Sequence, residues 1–430
     1  MSFFSKKQLL AKNNDQEARA IFSQHTHKEL KPPLWLLVMI IGLPLLSETV
    51  YTPSLVAVAH ALNTTHAGVE YTLSIYLAAF ACGTLFWGCI SDGYGRKKPL
   101  VLGLFIYAFG SLLCAVSSSL EMLLVARFVQ AFGGSTGSIL GQVICRDVFQ
   151  GKERGVIFSS LGAILSVAPA IGPVCGGILA ESVGWRGMFF MLFSLGIVTT
   201  VSSLLFLFET HPNLALANSR PFSMICTVFK QLIRDPKVLV FGAVIGGMNG
   251  IMFSYYGEGA FYLMEQLSLR PVFYGLTFIF LSMASILGSL FSKKLLKGSF
   301  SSEKVIFFGL CMAFLAMFLF LSSAVLGWIH PLNPVMGIII TLISMCLLYF
   351  GMDTAKPSLL SHALDDYQHV SGTASSLFGC YYYGVISLMT VVMAYIRSND
   401  MIRMPLYFLS MTMVMMFLFC FLRKKTVSAS

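Results

Sequence analysis

The chain has 430 residues, 56% of them hydrophobic and only 11% charged, with a formal net charge of +10. That composition, with a mean hydropathy of +0.78, excludes an ordinary soluble protein, in which about a quarter of residues are charged. In lipid every backbone group must be satisfied within its own segment, so the long apolar runs are expected as helices, and the basic excess is expected to meet anionic lipid headgroups, with no role in nucleic-acid binding.

Residues 1–33 are polar and hold six Lys or Arg up to Lys31. They lack the short basic region and compact apolar core of a cleaved secretory signal and are expected as a cytoplasmic tail. Twelve apolar stretches follow, at 34–58, 70–90, 99–118, 121–145, 156–180, 187–208, 238–264, 271–292, 304–325, 333–354, 371–396 and 403–422. With the N-terminus inside, only Arg127, Arg186, Arg270, Arg397 and Arg403 of the 29 Lys and Arg fall toward the outer face. The positive-inside rule therefore predicts that both termini are cytoplasmic.

The first span carries a carboxyl, Glu48, within Leu45–Pro53. An unpaired charge at that depth costs at least about 2.5–3.5 kcal/mol. Glu48 therefore reads either as a protonatable site or as a satisfied interhelical hydrogen bond. Tyr51, one turn later, is a candidate cavity wall. His60 and His66 flank the first outer loop and are too isolated for a metal site.

Between spans two and three, Gly88, Asp92, Gly95, Arg96 and Lys97 form a glycine-permitted turn with an acid at a helix end and a basic run on the inner face. Span four opens on a Leu123–Gly134 stretch containing Arg127, whose side chain can snorkel to headgroups. Span five holds Gly172, Pro173, Gly176 and Gly177. The glycines permit close helix approach, and Pro173 removes a ladder bond and is expected to bend the span.

The longest internal polar segment, 210–237, falls between spans six and seven and separates bundles expected at 34–209 and 238–422. Its apolar positions over Phe222–Ile233 suit a short helix lying on the membrane surface. Span seven carries Glu258, with Tyr255 and Tyr262 spaced to share its helical face. A cavity role and a structural or outer-vestibule role are both open for it. If Glu48 and Glu258 line one chamber, cationic or amine-bearing substrates are favoured over anions. Glu265 and Arg270 near the end of span seven are expected to be solvated. Asp353 near the end of span ten, followed by Lys356, reads as a gate salt bridge or interfacial acid before a substrate ligand. Among Tyr381, Tyr382 and Tyr383 of span eleven, Tyr381 is the cavity candidate. Residues 423–430 close the chain as a second inner tail.

The ten Cys lie mostly in apolar segments without CxxC or His/Cys spacing, as small buried hydrophobes. No nucleophile–base constellation or GxxxxGK[ST] motif stands out, so neither an enzyme nor a cofactor is expected.

The loop from Gly88 to Lys97 follows the pattern GxxxDxxGRK and resembles the signature loop of the major facilitator superfamily. The stretch around Arg127 and the GPxxGG of Gly172–Gly177 resemble two further family motifs. With Leu73–Tyr76 and Gly184–Arg186, these segments resemble the bacterial Bcr/CflA-like subgroup of twelve-helix drug:proton antiporters, densely over residues 45–210 and mainly in span layout thereafter. The resemblance implies an all-α polytopic membrane protein, the major facilitator fold, with twelve transmembrane helices in two six-helix bundles in the bacterial inner membrane. It implies gating by Asp92, Arg96, Gly172, Pro173 and Gly176, and proton coupling through Arg127. The subgroup commonly carries its first-span acid one position later, at the equivalent of Thr49, and is usually uncharged at the equivalent of Glu258. The implied activity is proton-driven export of a small amphipathic or cationic molecule by a monomer. A nutrient or siderophore carrier by symport, and a sensor that no longer transports, are the rival readings.

Overall fold

The computed structural model describes residues 31–149, 151–165, 167–210, 222–298, 300–396 and 400–427. The predicted tail up to residue 30, residues 211–221 of the central segment, Arg397 and residues 428–430 lie outside the described residues.

The protein is an all-α polytopic membrane protein. Eleven helical segments among the described residues are long and apolar enough to cross a bilayer. The first predicted span is not one helix. It breaks into α1 (Leu34–Thr49), a 3-10 turn (Thr52–Ser54) and α2 (Leu55–Ala61), because Pro53 cannot donate to the ladder. Next come α3 (His66–Tyr94), α4 (Lys97–Ala115) and α5 (Leu120–Val148). Thr65 caps α3 by accepting from the Gly68 amide, and Ser119 caps α5 by accepting from the Met122 amide. Gly95, at φ +87, allows the tight turn between α3 and α4.

The fifth predicted span comprises two shorter helices, α6 (Gly151–Leu165) and α7 (Ala168–Ser182). The interruption precedes Pro169, which occupies the first turn of α7, whereas Pro173 sits inside a continuous helix. The interruption thus lies at the earlier proline, which starts a helix where its missing N–H costs nothing. Gly184, at φ +73, joins α7 to α8 (Gly184–Phe206).

A helix over Phe222–Leu232, α9, occupies the central polar segment where the apolar periodicity predicts one. Asp235 then caps α10 (Pro236–Ala260). This helix widens into a π-helical turn, Phe261–Gln266. The remaining helices are α11 (Pro271–Lys297), α12 (Ser302–Val325), α13 (Pro334–His362), α14 (Ser371–Ile396) and α15 (Arg403–Val427).

Contacts sort α1–α8 into one group and α10–α15 into another, joined chiefly by α3 against α14 and α7 against α11. Along the first seam the Ser387 hydroxyl donates to the Ser74 carbonyl at 2.9 Å, and Phe80 meets Tyr383 at 4.8 Å between ring centres. Along the second, Gly275 lies on the Pro173 carbonyl and Gly177 on the Pro271 carbonyl. Gly172 and Gly176 do not serve this seam. They seat α7 on Thr49 at the end of α1 and on Val50 just after it, beside Glu48.

A methyl group at Gly176 would collide with the Val50 carbonyl, whereas one at Gly384 meets nothing within 4 Å. Gly176→Ala is expected to cost about 1–3 kcal/mol through overpacking against backbone. Gly384→Ala is expected to be neutral or slightly stabilising, since glycine disfavours a helix interior. Melting temperatures of the two purified variants check the contrast. Equal midpoints would show that α7 can shift away from α1.

Candidate functional site

Arg127, on the second turn of α5, is fully buried. Its guanidinium carbon lies 4.8 Å from the Tyr51 ring centre and 4.2 Å from that of Tyr76. Nη1 donates to Gln130 Oε1 at 2.6 Å, and Gln130 Nε2 donates to the Ser111 hydroxyl at 2.9 Å. Nε and Nη2 have no hydrogen-bond partner among the described residues. The ring faces supply cation–π attraction in a desolvated setting, where it is worth about 2 kcal/mol or more. Arg127 does not snorkel in this structure; its geometry is that of a buried polar network.

Glu48, 3% exposed on α1, lies within electrostatic reach of Arg127 without an ion pair to it. Its Oε1 has no hydrogen-bond partner among the described residues. The satisfied interhelical bond open in the sequence is therefore not made at that oxygen. Tyr76 on α3, Tyr256 on α10, and Tyr382 and Tyr383 on α14 stand close enough to feel its charge. Tyr51 anchors the arrangement by hydrogen bonding the Thr72 hydroxyl at 3.1 Å. A buried carboxyl, a buried guanidinium and tyrosines from both halves thus meet in one region.

Other candidates fall elsewhere. Tyr381 turns away from this centre, donating to the Leu239 carbonyl and lying over Gly242; its neighbours Tyr382 and Tyr383 take the position expected of it. Tyr255 and Tyr262 pack into their own half against Phe278 and Phe320, and Tyr262 donates to the Met401 carbonyl. Glu258 does not share Glu48's surroundings. Its carboxyl lies within interaction range of that of Glu70 on α3. Whether Glu48 and Glu258 share one chamber was open in the sequence; here α10 directs residue 258 toward Glu70 of α3. Glu70 was missed in the sequence, where it reads as a polar residue at the mouth of span two.

Asp353 is buried, paired with Lys356 Nζ at 2.8 Å and accepting from the Ser285 hydroxyl of α11. It is an ion-paired contact within one half. Glu265 is not simply solvated: its carboxylate meets His66 Nε2 at 3.1 Å and His60 Nε2 at 4.0 Å. Arg270 likewise pairs with Glu181 at 2.6 Å.

At the turn after α3, Arg96 donates to Asp92 at 2.7 Å, Asp147 at 3.0 Å and the Ser91 hydroxyl at 2.9 Å. Burial opposes its charge, but Asp92 and Asp147 more than offset that and raise its pKa above the ordinary value. The Arg96 and Lys97 amides donate to Glu209 beyond α8. Asp147 and Glu209 were not singled out in the sequence; they tie the ends of α3, α4, α5 and α8 together. Arg96→Met is expected to lower stability by about 2–4 kcal/mol, from two lost charge-assisted bonds at a largely buried guanidinium. Thermal unfolding measures it, and an unchanged midpoint would mean that solvent replaces both partners.

A cavity of about 360 Å³ lies between α10, α12, α13 and α15, far from Glu48 and lined by Lys237, Phe241, His362 and Arg423 among others. Its charges are already matched by Asp366, Asp365 and Glu303, so it is the weaker candidate. Among the described residues no group of three or more His, Cys, Asp or Glu could hold a metal ion.

The sequence profile of the Major Facilitator Superfamily matches residues 37–390. An uncharacterized transporter of Rickettsia bellii is 32% identical over 380 residues, 88% of this chain and 93% of that protein. Multidrug resistance protein D of Escherichia coli is 25% identical over 347 residues, covering 80% and 84%. The solved structure of a bacterial homolog to the human lysosomal transporter Spinster superposes with a TM-score of 0.66 at 14% identity, over 91% of this chain and 96% of that one.

Proposed function

This chain belongs to the Major Facilitator Superfamily, whose members are secondary transporters and not enzymes, and from that premise we propose that it exports small amphipathic or cationic molecules in exchange for protons. In this reading α6 and α7 together make a twelfth span, the two groups of helices are the two rocking bundles, and both termini and α9 lie on the cytoplasmic side of a bacterial inner membrane. One chain contains a complete route, so a monomer suffices.

The observation that carries the proposal is Glu48: buried, unpartnered at Oε1, and beside an Arg127 that is held over tyrosine rings. A bare carboxylate there is costly, and either a proton or a cationic group relieves it. The two compete for the same oxygens. With the proton bound, the guanidinium is left as an uncompensated positive charge that repels a cation. With the proton gone, the carboxylate attracts one. That opposition is the sign of antiport. Tyr76, Tyr256, Tyr382 and Tyr383 would offer aromatic surface with few fixed hydrogen-bond partners, which suits apolar bodies of varied shape. A relative with 25% identity carries the name multidrug resistance protein D, and the GPxxGG stretch at Gly172–Gly177 resembles that of drug:proton antiporters; both agree with export.

The test is proton release from detergent-purified protein on adding a lipophilic quaternary ammonium, a neutral aromatic amide or an aromatic carboxylate, with Glu48→Gln in parallel. Release is expected with the cation, weaker or absent with the anion, and lost in the variant. Binding with the same release in both proteins would overturn coupling at Glu48.

A further inference from the structure

The side of the molecule opposite α9 holds a second set of buried and half-buried ionisable groups, and these connect the two halves. Glu70 of α3 and Glu258 of α10 are buried, and their carboxyls lie within interaction range of each other. Close approach is permitted by Gly257: a methyl group there would meet Leu73 Cδ1 at 3.3 Å and Glu70 Cγ at 3.4 Å. The π-helical turn that follows α10 carries Glu265 to His66 and His60, and His66 stacks on Phe261 at 4.4 Å. Glu181 of α7 pairs with Arg270 at the start of α11. Each of these contacts crosses between halves. By contrast Lys31–Glu153, Arg96–Asp147, Lys237–Asp366 and Arg423–Glu303, on the α9 side, each stay within one half.

We propose that Glu70 and Glu258 form a proton-operated latch, which holds the ends opposite α9 together while the two carboxyls share a proton and releases them when it is lost. Two ionised carboxylates offer only acceptors, so a hydrogen bond between them requires a proton on one. Without it, two negative charges face each other away from water and repel. When the halves part, each carboxyl regains solvent and no longer needs the proton. The latched state therefore binds more protons than the open state, is favoured as pH falls and is lost as pH rises. The other groups facing the pair are Glu265, which meets His60 and His66, and Tyr262, backed by Asp400. The inference rests on alternating access and not on Glu48 as the coupling site. In the proposed orientation the latch faces the outer compartment, where acid would close a carrier that has just taken up its proton.

The experiment uses spin labels at Ala61→Cys and Val335→Cys, exposed positions on opposite halves at this side, in the full-length chain with its native cysteines replaced. Electron–electron distance distributions are recorded in nanodiscs from pH 5 to 9. The ratio of long to short distance is expected to rise about tenfold per pH unit through the transition, as one proton requires. Glu70→Gln keeps a hydrogen bond, its amide donating to the Glu258 carboxylate, and is expected to stay short at every pH. His66→Gln and Glu48→Gln are expected to retain the response. A wild-type distribution that ignores pH, a Glu70→Gln protein that responds like wild type, or a response abolished by His66→Gln or Glu48→Gln would each overturn the latch. Coupling at Glu48 is read separately by proton release.

Discussion

Arg127→Ala is expected to abolish transport and to lower stability by about 3–5 kcal/mol, the range for truncating a large buried side chain. The guanidinium fills the space between the Tyr51 and Tyr76 rings and satisfies Gln130, which in turn holds Ser111 of α4. Removing it leaves a void lined by ring faces and strips Glu48 of its nearby positive charge. Arg127→Lys separates the two consequences. It restores the charge but not the planar stack or the fork that reaches Gln130, so it should recover part of the stability and little of the transport. Thermal unfolding and substrate counterflow in proteoliposomes give the two readouts. An Arg127→Lys protein with full counterflow would reduce the residue's role to charge alone.

Glu48→Gln is expected to weaken cation exchange, to leave downhill exchange of a neutral substrate intact and to eliminate uphill accumulation of either. The amide keeps the shape of the side chain and cannot exchange a proton at neutral pH. For one proton per substrate, each pH unit imposed across the membrane supports about a tenfold gradient, and a neutral substrate gains roughly fiftyfold more per 100 mV. Both factors should vanish in the variant. Accumulation against a gradient by Glu48→Gln would remove this carboxyl from the coupling scheme.

The apolar runs, the glycine turn at Gly95 and the periodicity of Phe222–Leu232 were legible because each depends on neighbours in sequence: solvation of a segment, a positive φ, a helical stripe. The interruption ahead of Pro169 was less so. Span five contains two prolines, and which of them ends a helix depends on what the backbone around each meets in the folded protein. At 173 the carbonyl is covered by Gly275 of the other half, and the helix continues.

Among the site residues, Glu48 is legible because a charge inside an apolar run is costly wherever the run folds, and Arg127 because its flanking stretch resembles a family motif. Glu70 carried no such signal at the mouth of a span. Its meaning comes from Glu258, far away in sequence. Tyr381 was chosen from three consecutive tyrosines that composition cannot distinguish. A helix turns about 100° per residue, so only the packing of α14 against α3 selects Tyr382 and Tyr383 as the rings near Glu48.

The sequence by itself thus determined the solvent of this protein, its helical class and the carboxyl at Glu48 that its interior must accommodate, since those follow from transfer free energies of local segments. The tertiary structure alone decided which charges meet. It put Glu48 near Arg127 without an ion pair and joined Glu258 to Glu70 across the two halves. Helix rotation and inter-helix approach are set by many side chains packing at once, and no single segment encodes them.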